Sequence, residues 1–217
     1  MGRYAPRRAP RFLAAVRTAG LGVTLTLASC HSLNPTNWTG LGGSGGSGVL
    51  VSDAMGHRLD LDLPNRAAAV RDQNTADVYL TDLSDQTLDL IARGEAGSEI
   101  SGTIVEIHIF LNPKPGKTPI ESTAASATIR TVILSRGQVG VYDGAGFLAP
   151  GRSLEKGSAD GRVEGAQVRL SRSTGGFQDL LGPARIDLNF DAPGDDEAAN
   201  RIARVVRALS AAADRAD

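Results

Sequence analysis

The sequence predicts a mainly β domain, an antiparallel β-sandwich or barrel-like sheet with one C-terminal amphipathic α-helix packed on it. Three observations carry this reading. Apolar residues recur at period two through most of residues 49–190, the mark of half-buried strands. No helix-period pattern separates those strands, which speaks against a parallel βαβ layout. Helical spacing emerges only after Ala192-Pro193-Gly194.

Taken in chain order, a short apolar run at 49–52 opens the domain. Leu59, Leu61 and Leu63 then alternate with Arg58, Asp60 and Asp62, giving a strand with one wet face. Further strands are predicted at 78–81, 88–92, 103–111 and 127–134. The segment TIVEIHIFL at 103–111 is apolar on both faces except at Glu106 and His108, which places it centrally in a sheet. Ser135-Arg136-Gly137-Gln138 predicts a tight hairpin into a strand at 139–142. Gly144-Ala145-Gly146 lacks the further glycine and the helix of a dinucleotide-binding loop and reads as a turn. A strand at 166–171 follows, and then Ile186, Leu188 and Phe190 alternate with Arg185, Asp187 and Asn189. The helix is predicted over 195–213. Asp195, Asp196 and Glu197 stand at its start, where acids suit the dipole, and Ile202, Val205, Val206 and Leu209 form one apolar stripe.

At 217 residues the chain has room for one ordinary domain and an appendage. Aromatic residues make up only 4% of it, so the core is aliphatic and there is little material for a base- or sugar-stacking platform. The net charge of -1 conceals an asymmetry. Five of the 23 basic residues (Arg3, Arg7, Arg8, Arg11 and Arg17) lie in the first 29 positions, which hold no acid. The remainder carries 18 basic against 24 acidic residues, too acidic for a nucleic-acid binder.

That basic start is followed by a short apolar segment at 20–27 and small residues before the single cysteine, Cys30. The layout is that of a secretory signal, too short for a permanent membrane span. Leu27-Ala28-Ser29-Cys30 resembles the lipobox of bacterial lipoproteins: a leucine three positions before the cysteine, then two small residues. The resemblance covers residues 1–30 only. It implies cleavage after Ser29, a diacylglyceryl thioether on Cys30 and, usually, acylation of the new amino terminus. His31 stands where enteric lipoproteins retained at the inner membrane carry aspartate, so an outer-membrane destination is favoured by that analogy. Residues 1–29 are thus expected to be a signal peptide, 30–48 a lipidated cysteine with a Gly/Ser-rich tether reaching about 20–25 Å, and 49–217 one globular domain.

Chemistry-bearing residues are few. Glu106 and His108 are two apart in a strand and so share a face, as a base with its orienter or two metal ligands would. They are the candidate catalytic pair. Asp53, His57, Asp60 and Asp62 form a candidate metal cluster, though their spacing fits no calcium loop. Pro115-Gly116-Lys117-Thr118 lacks the glycine five positions before Gly116 that a P-loop requires, and Pro119 blocks the following helix. The expectation is a non-catalytic binding or structural module, held by lipid at the cell envelope, with an envelope protein as partner and neither nucleic acid nor cofactor. A hydrolase or metal-dependent enzyme using Glu106 and His108, and a carrier of an apolar ligand, are the alternatives.

Overall fold

A computed structural model describes residues 45–112, 124–151 and 154–215. The signal peptide, Cys30, the tether up to residue 44 and the sequence at 115–118 lie outside the described residues. The chain forms β1 (Gly46–Ser52), β2 (Arg58–Leu63), β3 (Asn65–Val70), β4 (Ala76–Thr81), α1 (Asp85–Ala92), β5 (Gly102–Ile109), β6 (Ala127–Ser135), β7 (Gln138–Gly146), β8 (Leu148–Pro150), β9 (Ala159–Ser173), β10 (Ala184–Ala192) and α2 (Asp196–Asp214).

Nine strands pair in the order β2-β1-β10-β9-β7-β6-β5-β4-β3, each with an antiparallel neighbour, and β8 adds to β9. The two ends of this path curl toward each other. Ala68 of β3 donates its N–H to Pro193 O (2.8 Å) and accepts from Asp195 N (3.0 Å), just past the end of β10. The sheet is therefore nearly closed and barrel-like, which reduces the unpaired edge that an open sheet exposes.

Strand alternation sorts the apolar residues into two cores. Val105, Ile107 and Ile109 of β5 point inward with Ile186, Leu188 and Phe190 of β10 and fill the barrel. Ile104, Val132, Val139 and Val141 point outward and meet Ile202, Val205, Val206 and Leu209 of α2. Burying each such side chain stabilises the fold by about 1.5–3 kcal/mol. The helix begins where expected, with Asp195 as N-cap accepting from Ala198 N at 3.0 Å.

Several local expectations are corrected. Residues 88–92 are not a strand but belong to α1, which tucks Leu88 and Ile91 into the outer core. Ser84 caps its start by accepting from Thr87 N (3.2 Å). Its end is closed by Gly94 N donating to Ile91 O and Glu95 N to Leu90 O, with Gly94 at φ 72°, a Schellman motif. Strand β3 was not anticipated. Gly144 and Gly146 are not a turn but continue β7 in its pairing with β6, and Gly144 is glycine because a side chain there would collide with the Gln167 backbone of β9. β1 begins at Gly46, inside the segment assigned to the tether. The hairpin between β6 and β7 forms as expected, with Arg136 (φ 50°) and Gly137 (φ 75°) both in the left-handed region that a two-residue loop requires.

One core position is imperfect. Thr131 shares the inward face of β6 with Ile129 and Ile133, is fully buried, and its hydroxyl has no hydrogen-bond partner among the described residues. Thr131→Val keeps the shape and removes the stranded polar group. It is expected to raise stability by about 1 kcal/mol, read as a melting temperature higher by about 2–4 °C.

Candidate functional site

Two concave regions contain or adjoin candidate residues. The first is a groove of about 380 Å³ on the outer face of the sheet. The pairing register puts Asp77 opposite His108, Tyr79 opposite Glu106, Glu106 opposite Arg130 and Arg130 opposite Asp143 across β4, β5, β6 and β7. Directly opposite residues on one face lie within reach of each other, and these have bonded. His108 Nδ1 lies 2.6 Å from Asp77 Oδ1. A carboxylate only accepts, so the proton sits on Nδ1 and Nε2 is left over.

Glu106 does not orient His108, as their shared face had suggested. Glu106 accepts from the Tyr79 hydroxyl (3.2 Å) and pairs with Arg130 (3.6 Å). Asp77 takes the orienting place and also binds Arg71 (3.1 Å). No sequence signal links Asp77 to His108, because the pair is made by strand register 31 residues apart. Thr128, the register partner of His108 on β6, completes the groove wall. Its hydroxyl makes no side-chain hydrogen bond among the described residues.

The groove is anchored by Asp143. Burial alone would raise its pKa, but hydrogen bonds from Ser171 (2.7 Å), Arg130 (2.7 Å) and Arg172 (2.8 Å) outweigh that and hold it below the usual carboxylate range. Arg172 in turn reaches Asp214 at the last turn of α2 (3.2 Å). Burial, then the neighbouring Glu106 carboxylate, raises the Tyr79 phenol, which stays a neutral donor.

The four candidate metal ligands are not gathered. Asp53 pairs with Arg185 (2.7 Å), His57 Nδ1 binds Leu180 O (2.6 Å), Asp60 pairs with Arg58 (2.6 Å), and Asp62 lies exposed on β2. Among the described residues no cluster of three or more His, Cys, Asp or Glu is placed to hold a metal ion.

The second region, not foreseen, is a cavity of about 390 Å³ at one mouth of the barrel. Ile133 reaches it from near the end of β6, Tyr142 from the middle of β7, and Phe177 and Leu181 from the segment between β9 and β10. His57, expected among metal ligands, stands instead at its rim beside Arg58. The Tyr142 hydroxyl donates to Asp179 at 2.6 Å. Burial and that bond raise the phenol, while Asp179, which also accepts from the amides of Leu181 and Gly182, is lowered against the effect of its own burial.

No protein-family model, no curated protein and no solved structure matches the chain.

Proposed function

We propose that the chain is a lipid-anchored envelope lipoprotein, a non-catalytic binding or structural module that Cys30 holds at the membrane, with the outer membrane favoured. One observation carries the binding part of this reading. The polar candidates Glu106, His108, Asp53 and Asp60 are engaged with Tyr79, Asp77, Arg185 and Arg58, while the barrel mouth offers a cavity framed by apolar side chains. The address rests on the LASC box and the Gly/Ser run behind it. An envelope protein is the partner this anchoring favours.

The anchor is tested by fractionation. The wild type is expected in the membrane fraction, released by detergent but not by high salt, since two or three acyl chains hold far more strongly than surface charge. Cys30→Ala is expected to move to the soluble fraction. If the variant stays in the membrane as firmly as the wild type, the lipid anchor is wrong. Crosslinking of the anchored protein in its own envelope then identifies the partner.

A second reading, a hydrolase, has the Asp77 and His108 contact in its favour, because an oriented imidazole is the base of many acyl-transfer sites. It also needs a nucleophile within hydrogen-bond reach of Nε2; Thr128 is the residue that register places opposite His108, and its hydroxyl makes no hydrogen bond to the ring.

A further inference from the structure

We propose that the barrel mouth binds a single-chain amphiphile with a carboxylate head, a ligand of the fatty-acid type. The proposal rests on the binding-module reading and names its ligand class. The cavity grades from apolar to basic. Ile133, Tyr142 and Leu181, buried or half-buried in the barrel core, form its floor, and Leu59, Phe177 and Leu180 form its walls. At about 390 Å³ it has the size and lining of a small-ligand site. Apolar surface also spills out around this mouth. Leu180 is 58% exposed, and Met55, which reaches the neighbourhood of Gly182, is 46% exposed. Together they extend the apolar wall outward, as a chain longer than the cavity would need.

The rim supplies the complement to a carboxylate. Arg58 binds Asp60 through one oxygen only, with Nε at 2.8 Å and a terminal nitrogen at 2.6 Å. Three of its five N–H groups remain for a second acceptor. Asp60 is 75% exposed, so this pair is weak competition for a ligand carboxylate that can meet the guanidinium side-on. His57 donates from Nδ1 to the Leu180 carbonyl, so Nε2 of the neutral ring is an acceptor and the carboxylate is left to Arg58. No carboxylate lines the cavity among the described residues, and nearby Asp179 is taken up by Tyr142 and two amides.

The site is also built before any ligand arrives. Phe177 lies against Gly140, where any side chain would collide with its ring, and meets Tyr142 edge-on at 6.4 Å. Phe177 N donates to Thr174 O (2.9 Å), and Asp179 ties the segment to the barrel wall. Little ordering remains to be done on binding, which is how a preformed cavity gains affinity.

The test uses the full-length chain carrying Cys30→Ala, so that no acyl chain of its own enters the assay. Dodecanoate, kept below its micelle concentration, dodecanol and acetate are titrated by calorimetry. Expected are saturable one-to-one binding of dodecanoate, about tenfold weaker binding of dodecanol for want of one charge-assisted pair, and none of acetate. Arg58→Gln is expected to bring dodecanoate down to the dodecanol level. Leu59→Trp, which fills the mouth, is expected to abolish both. Leu180→Ser, at a site too exposed to unfold the domain, is expected to weaken both several-fold and keeps the test decisive if Leu59→Trp misfolds. Absence of saturable binding, equal affinity for dodecanol and dodecanoate, or dodecanoate binding that survives both mouth variants overturns the proposal. Cys30-dependent membrane anchoring together with no dodecanoate binding overturns this inference alone and leaves the anchored-module reading standing.

Discussion

Gly48→Ala is expected to destabilise the domain by about 3 kcal/mol, a fall in melting temperature of about 6–12 °C. Gly45→Ala, three residues earlier in the same glycine run, is expected to stay within about 0.5 kcal/mol of the wild type. The difference is geometric. A Cβ on Gly48 would collide with the Asp187 carbonyl oxygen and stand 2.8 Å from Leu188 Cα, because β1 and β10 approach closely at that rung. Backbone on both sides cannot move without breaking the ladder. A Cβ on Gly45 meets only an Arg66 terminal nitrogen at 3.5 Å, an ordinary contact. Taken alone, alanine would stabilise either site by about 0.4–1 kcal/mol through the unfolded chain, so a loss at Gly48 is the steric cost overriding that gain. Urea and thermal unfolding followed by circular dichroism check both variants. A neutral Gly48→Ala would mean that β1 does not pair with β10 in this register, and that the whole glycine run is tether.

The same glycine shows where sequence reading runs out. A Gly/Ser run looks like a linker because its composition cannot bury apolar surface, yet its last glycines are selected by a close backbone approach that only the paired strand reveals. Gly144 and Gly146 conceal β7 for the same reason. Strand β3, NRAAAV, goes unread because its three alanines carry no alternation and little β preference. Helix α1 did leave a signal: Ser84 as cap, Leu88 and Ile91 three apart, and Gly94 as stop. At eight residues it is shorter than the window in which helical periodicity stands out. By contrast β2, β10 and α2 were legible because each has one wet and one dry face, so burial writes its period directly into the sequence. The candidate site was half legible. Sequence spacing correctly puts Glu106 and His108 on one face, but their partners Tyr79, Asp77 and Arg130 come from neighbouring strands, and which strands neighbour β5 is a property of topology.

That dependence on topology makes Asp143 the residue whose loss should be felt most widely on the outer face. Asp143→Ala is expected to cost about 2 kcal/mol at neutral pH. Each hydrogen bond to a charged group is worth about 1.5–3 kcal/mol, and three are lost, but the carboxylate is partly solvated and surface screening removes much of the sum. The pH dependence separates this charge effect from simple loss of packing. Asp143 is held below its ordinary pKa in the folded protein, so the unfolded chain binds a proton first as the pH falls. Its contribution is therefore complete above the unfolded value of about 3.9 and is lost as the pH drops through the lower folded value. The stability gap between wild type and Asp143→Ala should accordingly stay constant from pH 7 to about pH 5 and close progressively below about pH 4. Asp82, raised by burial, acts in the opposite direction, contributing stability that is lost as the pH rises, but it is present in both proteins and cancels from the difference. A gap that persists unchanged at pH 2.5 would show that the network contributes through shape, not charge. A second readout follows the connection to α2. Arg172 bridges Asp143 and Asp214, so losing Asp143 frees the arginine that holds the end of the helix, and amide exchange in the last turn of α2 should quicken while the N-capped first turn is unchanged. If both readouts hold, the groove around His108 is explained as the visible side of a cross-strand lattice that ties β4, β5, β6, β7 and β9 to the helix.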